Sequence, residues 1–151
     1  MTAEMRDVLV FEAGGRLFGL GIQDVERVLP AVRPVRLAHN SAFEGIVNLH
    51  GTAIPVFDLR VWFGDEAKEV QLEDLLIVVR AGTRRVGLFA DRARGVAAIA
   101  TSSIQPVQTM VPNTRHLAGV VMIADGIVFL PNVAAFMETL ADVAAAEVTA
   151  A

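Results

Sequence analysis

The sequence has no cysteine and no tyrosine, and it contains one tryptophan in 151 residues. The lack of cysteine excludes a disulfide framework and any Cys-ligated zinc or iron–sulfur site. Stability must therefore come from packing, and a hydrophobic content of 54% supplies the side chains for a core. We expect one compact unit, or two small units packed closely together, in a reducing compartment, the cytoplasm.

Positive charge and long apolar runs are also scarce. The formal net charge is -4, which disfavours nucleic acid as a partner because phosphate binding needs clustered cations. Apolar runs such as Leu75 to Val79 are far shorter than the ~20 residues of a spanning helix. The first residues lack a cationic stretch followed by an apolar core, so we expect neither a signal peptide nor direct membrane insertion.

Catalytic and ligand-binding patterns are missing as well. His39, His50 and His116 do not have the spacing of metal ligands, and no nucleophile accompanies the acids near strand ends. The Gly14-Gly15 pair does not follow the order of a nucleotide-binding loop and is typical of a tight turn. The sequence therefore indicates no enzyme, no metal site and no cofactor.

Short β-branched runs separated by turn residues dominate what is present. Gly14-Gly15 separates two of them, residues 81–84 separate two more, and Asp125-Gly126 is the strongest turn signal in the chain. Each pair predicts an antiparallel hairpin. The paired runs are Val8 to Glu12 with Arg16 to Gly21, Leu75 to Arg80 with Arg85 to Ala90, and Leu117 to Ala124 with Ile127 to Leu130.

Two segments show helical spacing instead. Ile22, Val25, Val28 and Leu29 would share one face of a short helix that Pro30 ends. At the C-terminus, Asn132 is a candidate cap for a helix with an apolar stripe. With many short strands and few helices, we predict an all-β fold of two small barrels with peripheral helices.

The segment from Gly45 to Arg60 is the most informative one. Two apolar runs flank a turn at Gly51 and leave few polar side chains, His50 among them, a pattern that would shape a docking surface on a small β-barrel. Asp58 and Arg60 flank Leu59 and would point to one face of a strand. Two interpretations of them remain open: they pair with each other to tie down a loop, or they contact a partner.

This segment, Gly-Ile-Val-Asn-Leu-His-Gly followed by Pro-Val-Phe-Asp-Leu-Arg, resembles the CheW family of bacterial chemotaxis adaptors. The opening hairpin, Ile22 to Leu29, Val86 to Asp91, Leu117 to Gly119 and the C-terminal helix extend the resemblance over nearly the whole chain. It implies one non-catalytic domain over residues 7–145, made of two five-stranded SH3-like barrels around a hydrophobic seam. The barrels would cover roughly 7–70 and 71–135, with strands that can interleave, between flexible termini 1–6 and 146–151.

The resemblance also implies two partners, the cytoplasmic tip of a chemoreceptor and the regulatory domain of a CheA-type histidine kinase. The positions that it assigns to receptor binding are Val25, Arg27, Val28, Val47, His50 and Val86. Those that it assigns to kinase binding are Asp58, Arg60 and Leu88. An adaptor of a pilus-motility or developmental pathway would have the same pattern.

Two positions depart from the family pattern. His50 stands where Arg is usual, and Arg27 stands where Glu is usual. The usual acid and base could pair, whereas Arg27 and a neutral His50 cannot, and they would repel each other once the imidazole is protonated. We therefore expect a divergent member with an altered range of partners.

Overall fold

The computed structural model describes residues 4–36, 43–66, 69–107 and 115–138. Ten strands form two five-stranded sheets, and helices are few. The strands are β1 (Met5–Ala13), β2 (Arg16–Gly21), β3 (Val25–Pro30), β4 (Phe43–Leu49), β5 (Thr52–Asp58), β6 (Leu75–Ala81), β7 (Arg84–Ala90), β8 (Arg92–Ala100), β9 (Leu117–Ile123) and β10 (Gly126–Pro131). The helices are α1 (Leu59–Trp62), which follows β5, and α2, described over 133–138, which follows β10.

The two sheets have the same topology. The first has the order β8-β1-β2-β10-β9 and the second the order β3-β6-β7-β5-β4. In each, two antiparallel hairpins are joined by one parallel pair, β2 with β10 or β7 with β5. The chain leaves the first sheet after β2, forms the whole second sheet from β3 to β7, and returns to the first sheet at β8. The division between the sheets therefore differs from the predicted halves 7–70 and 71–135.

The predicted mostly-β fold with two five-stranded units is confirmed. The order of hydrogen-bonded strands is linear in each sheet, so among the described strands no ladder closes a full barrel. Each sheet is instead tied across its open side by one isolated bridge, Val35 to Ile46 or Gln105 to Val120. A glycine precedes the second residue of each bridge, and a Cβ on Gly45 would lie 2.3 Å from the Val35 carbonyl oxygen. The close approach explains why glycine occupies this position.

The three predicted hairpins are present, a fourth joins β4 to β5 at the predicted Gly51 turn, and the turns follow from local chemistry. Between β4 and β5, His50 and Gly51 have φ angles of 50° and 88°, the signs that a two-residue type I′ turn requires. The Asn48 side-chain oxygen accepts a hydrogen bond from the Gly51 amide at 2.8 Å. Histidine tolerates positive φ better than most residues, so the turn keeps its imidazole at an exposed tip.

The predicted helix over Ile22 to Leu29 is wrong. Only Ile22–Asp24 form a short 3-10 turn, and the chain continues as strand β3 paired with β6. A β-bulge between Val25 and Arg27 inserts one residue into β3. Because of that extra residue, side chains three positions apart share a face, and the strand imitates helical spacing.

The predicted C-terminal helix is present as α2 in the part that the structure describes. The Ala135 amide donates to the Asn132 side-chain oxygen at 3.3 Å, so Asn132 is the N-terminal cap. Residues 5–6, predicted to belong to a flexible terminus, lie in β1. Residues 146–151 fall outside the described part.

Candidate functional site

A hydrophobic layer between the sheets, here called the seam core, joins them. It contains buried side chains from both sheets and Phe136 from α2, which lies 5.3 Å from Phe57 between ring centroids. Phe63, which follows α1, contacts Phe18 with 5.6 Å between ring centroids. The main members of the seam core are Leu9, Phe11, Phe18, Leu20, Phe57, Ile77, Val79, Val86, Leu88 and Phe136.

The edge strands β3 and β8 carry this apolar face beyond the seam core. Val28 of β3 is directly opposite Ile77, and Val25 is opposite Val79. On the other sheet, Val96 of β8 is opposite Leu9. Opposed residues of an antiparallel pair project to the same face, so these valines point to the seam side of their sheets.

At the two edges the seam-side residues emerge into solvent. The exposed fraction is 41% for Val28, 58% for Val96 and 56% for Met5, which is opposite Ala100 of β8. Ile22, 42% exposed, lies on the 3-10 turn, which contacts β1 of the first sheet and β6 of the second. We call the five residues Met5, Ile22, Val25, Val28 and Val96 the seam-edge strip.

Of the six residues predicted for receptor binding, Val25 and Val28 lie in this strip. Arg27 is opposite Val78, a residue of the interior of the second sheet, so its exposed side chain is on the other face of β3. His50 lies at the β4–β5 turn, and β6 and β7 separate β3 from β5 in the sheet. The strip therefore contains neither Arg27 nor His50.

Three predicted contact residues are buried. Val47 is 3% exposed and packs inside the second sheet, while Val86 and Leu88 are fully buried in the seam core. A period-two apolar pattern does not tell a core face from a docking face, which is why the sequence could not place them. In this conformation they offer no surface to a partner.

Asp58 and Arg60 form a buried ion pair, the structural interpretation that the sequence had left open. The Arg60 Nε and Nη2 atoms donate to the two Asp58 carboxylate oxygens, both at 2.9 Å. Arg60 Nη1 donates to Asp91 Oδ1 at 2.8 Å, and the amide of Gly14 donates to Asp91 Oδ2 at 2.7 Å. Since Gly14 lies in the β1–β2 turn, the pair fastens a turn of the first sheet to the second.

Electrostatics keeps Arg60 charged in this setting. Burial alone would lower the pKa of its guanidinium, but hydrogen bonding to Asp58 and the charges of Asp58, Asp91 and Asp74 raise it above its ordinary value. Both Asp58 and Arg60 are at most 4% exposed. The predicted kinase contacts Asp58, Arg60 and Leu88 are therefore internal, and the first two support the turn at Gly14.

A second ion pair holds the same corner. Arg16 Nη1 lies 3.0 Å from Asp65 Oδ2, and its guanidinium stacks over the Phe63 ring at 4.6 Å. The hydrogen bond from Arg16 lowers the pKa of the Asp65 carboxyl. The segment after α1 is thus tied to the β1–β2 hairpin at two points.

The sequence did not single out Met5, Ile22 or Val96. Val96 is a large apolar residue between Gly95 and alanines in an edge strand, where charged residues usually protect the backbone. An apolar residue in this position indicates an exposed contact surface, but only once β8 is known to be an edge strand. Met5 and Ile22 gave no signal of their own.

The described residues contain no group of three potential metal ligands. No helix among them is long and apolar enough to cross a membrane. What this part of the chain presents is a rigid two-sheet body with exposed apolar edges.

Comparison with known proteins gives a consistent result. A family model described as a CheW-like domain matches residues 7–141. The chain is 25% identical to the chemotaxis protein CheW of Klebsiella aerogenes over 131 residues, which cover 85% of this chain and 79% of that protein. It is 27% identical to the chemotaxis protein CheW of Bacillus subtilis over 109 residues, which cover 70% of each.

A solved structure is also similar. The crystal structure of the scaffolding protein TtCheW from Thermoanaerobacter tengcongensis matches with a TM-score of 0.73 and 26% sequence identity. The match covers 85% of this chain and 90% of that one. The likeness therefore extends over both sheets.

Proposed function

Because this chain belongs to the CheW-like domain family, we propose that it is the adaptor that couples chemoreceptors to a CheA-type histidine kinase. It is a non-enzymatic member of that family. The observation that carries the proposal is the seam-edge strip, in which apolar side chains are exposed at the edges of both sheets and on the 3-10 turn, which contacts a strand of each sheet. Exposed apolar residues on neighbouring elements are typical of a protein-docking surface.

The helical tip of a receptor is the partner proposed for the strip. An amphipathic helix would place its apolar face on Val28 of one sheet and Val96 of the other, because helix-in-groove docking needs anchors spaced along one face. Burial of such side chains is the main source of affinity. Charges outside the contact, including Arg27 and His50, would set the choice among receptors more than the strength of binding.

The kinase regulatory domain is the partner proposed for a surface away from the strip. Asp58, Arg60 and Leu88 support such a surface from within, since all three are buried. Substitution of Asp58 or Arg60 would act on kinase binding by loosening the corner at Gly14, and substitution of Leu88 would act by disturbing the seam core. Direct contacts would come from exposed neighbours.

Reconstitution tests the coupling. The purified chain is mixed with a receptor cytoplasmic fragment and a CheA-type kinase from the same genome, and kinase autophosphorylation is measured. We expect stimulation that requires all three proteins and that is lost with Val28→Asp. Binding to the kinase without stimulation, or stimulation that Val28→Asp leaves intact, would contradict the proposal.

A further inference from the structure

A cleft lies at the end of the second sheet formed by the β4–β5 and β6–β7 turns. The β5–β7 pair is parallel, with Val56 opposite Gly87, so the turns that precede β5 and β7 lie side by side. Between them and α2 is a cavity of about 470 Å³. It is lined by Thr52, Pro55, Thr83, Arg84, Arg85 and Met137.

Positive charge is in excess around this cleft. Glu26 is shared by two guanidinium groups, at 3.0 Å from Arg85 Nε and 3.6 Å from Arg80 Nε. Arg84 is exposed and forms no ion pair with any described residue. A second acid, Glu138, lies beside Arg84 in the adjoining pocket, where it is paired with Arg115 at 3.6 Å. Among the described residues near the cleft, arginines therefore outnumber acids, in a chain whose net charge is -4.

The groups in the cleft are hydrogen-bond donors on an apolar base. Guanidinium groups donate in a planar fork that matches a carboxylate, and threonine hydroxyls can donate as well. No carboxylate lies among the residues that line the cleft within the described part of the chain. Pro55 and Met137 supply apolar surface beside the donors.

We propose that this cleft binds an acidic segment of a partner protein, with Asp or Glu carboxylates on Arg84 and Arg85. A peptide fits better than a free anion because its aliphatic carbons would cover Pro55 and Met137. No residue of the seam-edge strip lines the cleft, and the proposal does not depend on receptor or kinase coupling. It supplies a second, charge-selected contact on a scaffold whose other docking surface is apolar.

A labelled peptide tests the site directly. Fluorescence anisotropy measures binding of a fluorescein-labelled hexapeptide of alternating Glu and Leu to the full chain at about 25 mM and about 300 mM salt. We expect saturable binding at low salt, weakened about tenfold by Arg84→Glu. Arg33→Glu is the matched control, because it makes the same change of charge at a residue that is 77% exposed outside the cleft.

Several outcomes decide the matter. Binding that stays within about twofold for Arg33→Glu, with amide NMR shifts at Thr52 and Thr83, supports the site. If Arg84→Glu and Arg33→Glu weakened peptide binding equally, the binding would be a non-specific effect of net charge, and the proposed site would be wrong. Equally tight binding of the Lys-Leu counterpart, displacement by equimolar inorganic phosphate, or no saturable binding would overturn it too. Thermal unfolding of both variants confirms that they are folded.

Discussion

Arg60 binds Asp58 through two parallel hydrogen bonds of 2.9 Å, and one residue, Leu59, separates the two along the chain. Asp58 also accepts the Arg60 amide at 3.0 Å and so caps α1. The third guanidinium nitrogen turns away to Asp91, which holds the Gly14 amide. One side chain therefore joins a helix start, a strand end and a turn of the other sheet.

Arg60→Ala should strongly destabilise the fold. The substitution leaves Asp58 buried without its counter-charge, and removal of one member of a buried pair costs about 3–5 kcal/mol. Urea unfolding at pH 7 measures the change in the free energy of unfolding. The control is Arg33→Ala, which breaks a pair whose side chains are 77% and 82% exposed and should cost at most about 0.5 kcal/mol. Equal costs would show that the buried network does not fasten the corner.

Gly45→Ala and Gly126→Ala form a matched pair. Both glycines have similar positive φ angles, 138° and 130°, but a Cβ at Gly45 would collide with the Val35 carbonyl, whereas nothing lies within 4 Å at Gly126. The backbone strain should cost both variants about 1–3 kcal/mol. The collision should cost Gly45→Ala about 2 kcal/mol more, since the bridge to Ile46 must shift. If chemical unfolding gave the same loss of stability for both variants, the bridge between Val35 and Ile46 would shift at no measurable cost.

Stability should fall as the pH falls through the titration of His116. Burial first, and Arg115 next, lower the pKa of His116 below 6.5, while Glu138 opposes them. The unfolded state then binds the proton more readily than the folded state. The contribution of neutral His116 to the free energy of unfolding is therefore fully present above pH 6.5 and is lost as the pH falls towards the folded-state pKa.

His116→Phe tests that assignment. The ring lies 4.6 Å from Phe136, so phenylalanine preserves the aromatic contact and removes the titration. The loss of unfolding free energy between about pH 7.5 and pH 5.5 should be smaller in the variant than in the original chain. An unchanged pH dependence would assign the effect to other groups.

The error at β3 shows where sequence reasoning stops. Val25 and Val28 are three residues apart and do share a face, as the helical interpretation required. The cause is the bulge, and a bulge is set by pairing with β6, some fifty residues away along the chain. Short-range spacing cannot tell a bulged edge strand from one turn of helix.

Turns were predictable for the opposite reason. Gly14-Gly15, Gly51 and Asp125-Gly126 determine their backbone locally, and each hairpin is where these residues indicate. The exposed apolar strip was only partly predictable. Val25 and Val28, two of the predicted receptor contacts, lie in it, but Val86 and Leu88 have the same apolar character and are buried in the seam core. Exposure depends on which strands are edges, and that is a property of the whole sheet.

The seam-edge strip should govern affinity for a receptor. Val28→Asp or Val96→Asp puts a charge where an apolar contact is proposed, and each should weaken binding of a receptor fragment at least about tenfold. Ile127→Asp is the control, because Ile127 is 48% exposed on β10, outside the strip. Surface plasmon resonance gives the three affinities. If all three variants lost the same affinity, the receptor would bind a surface other than the strip.

Arg27 and His50 should govern selectivity instead. Both are exposed and lie outside the strip, on the far face of β3 and at the β4–β5 turn, so neither loses a buried contact when it is changed. Charges at the rim act mainly on the association rate and its salt dependence. Arg27→Glu with His50→Arg should therefore change the association rate for a given receptor fragment and alter its preference among receptors. The dissociation rate should change by less than about twofold.

Val28→Asp is the comparison, because it should chiefly raise the dissociation rate. Binding kinetics measured at two salt concentrations therefore separate an effect on selectivity from an effect on affinity. If the double variant dissociated as fast as Val28→Asp, Arg27 or His50 would lie inside the contact.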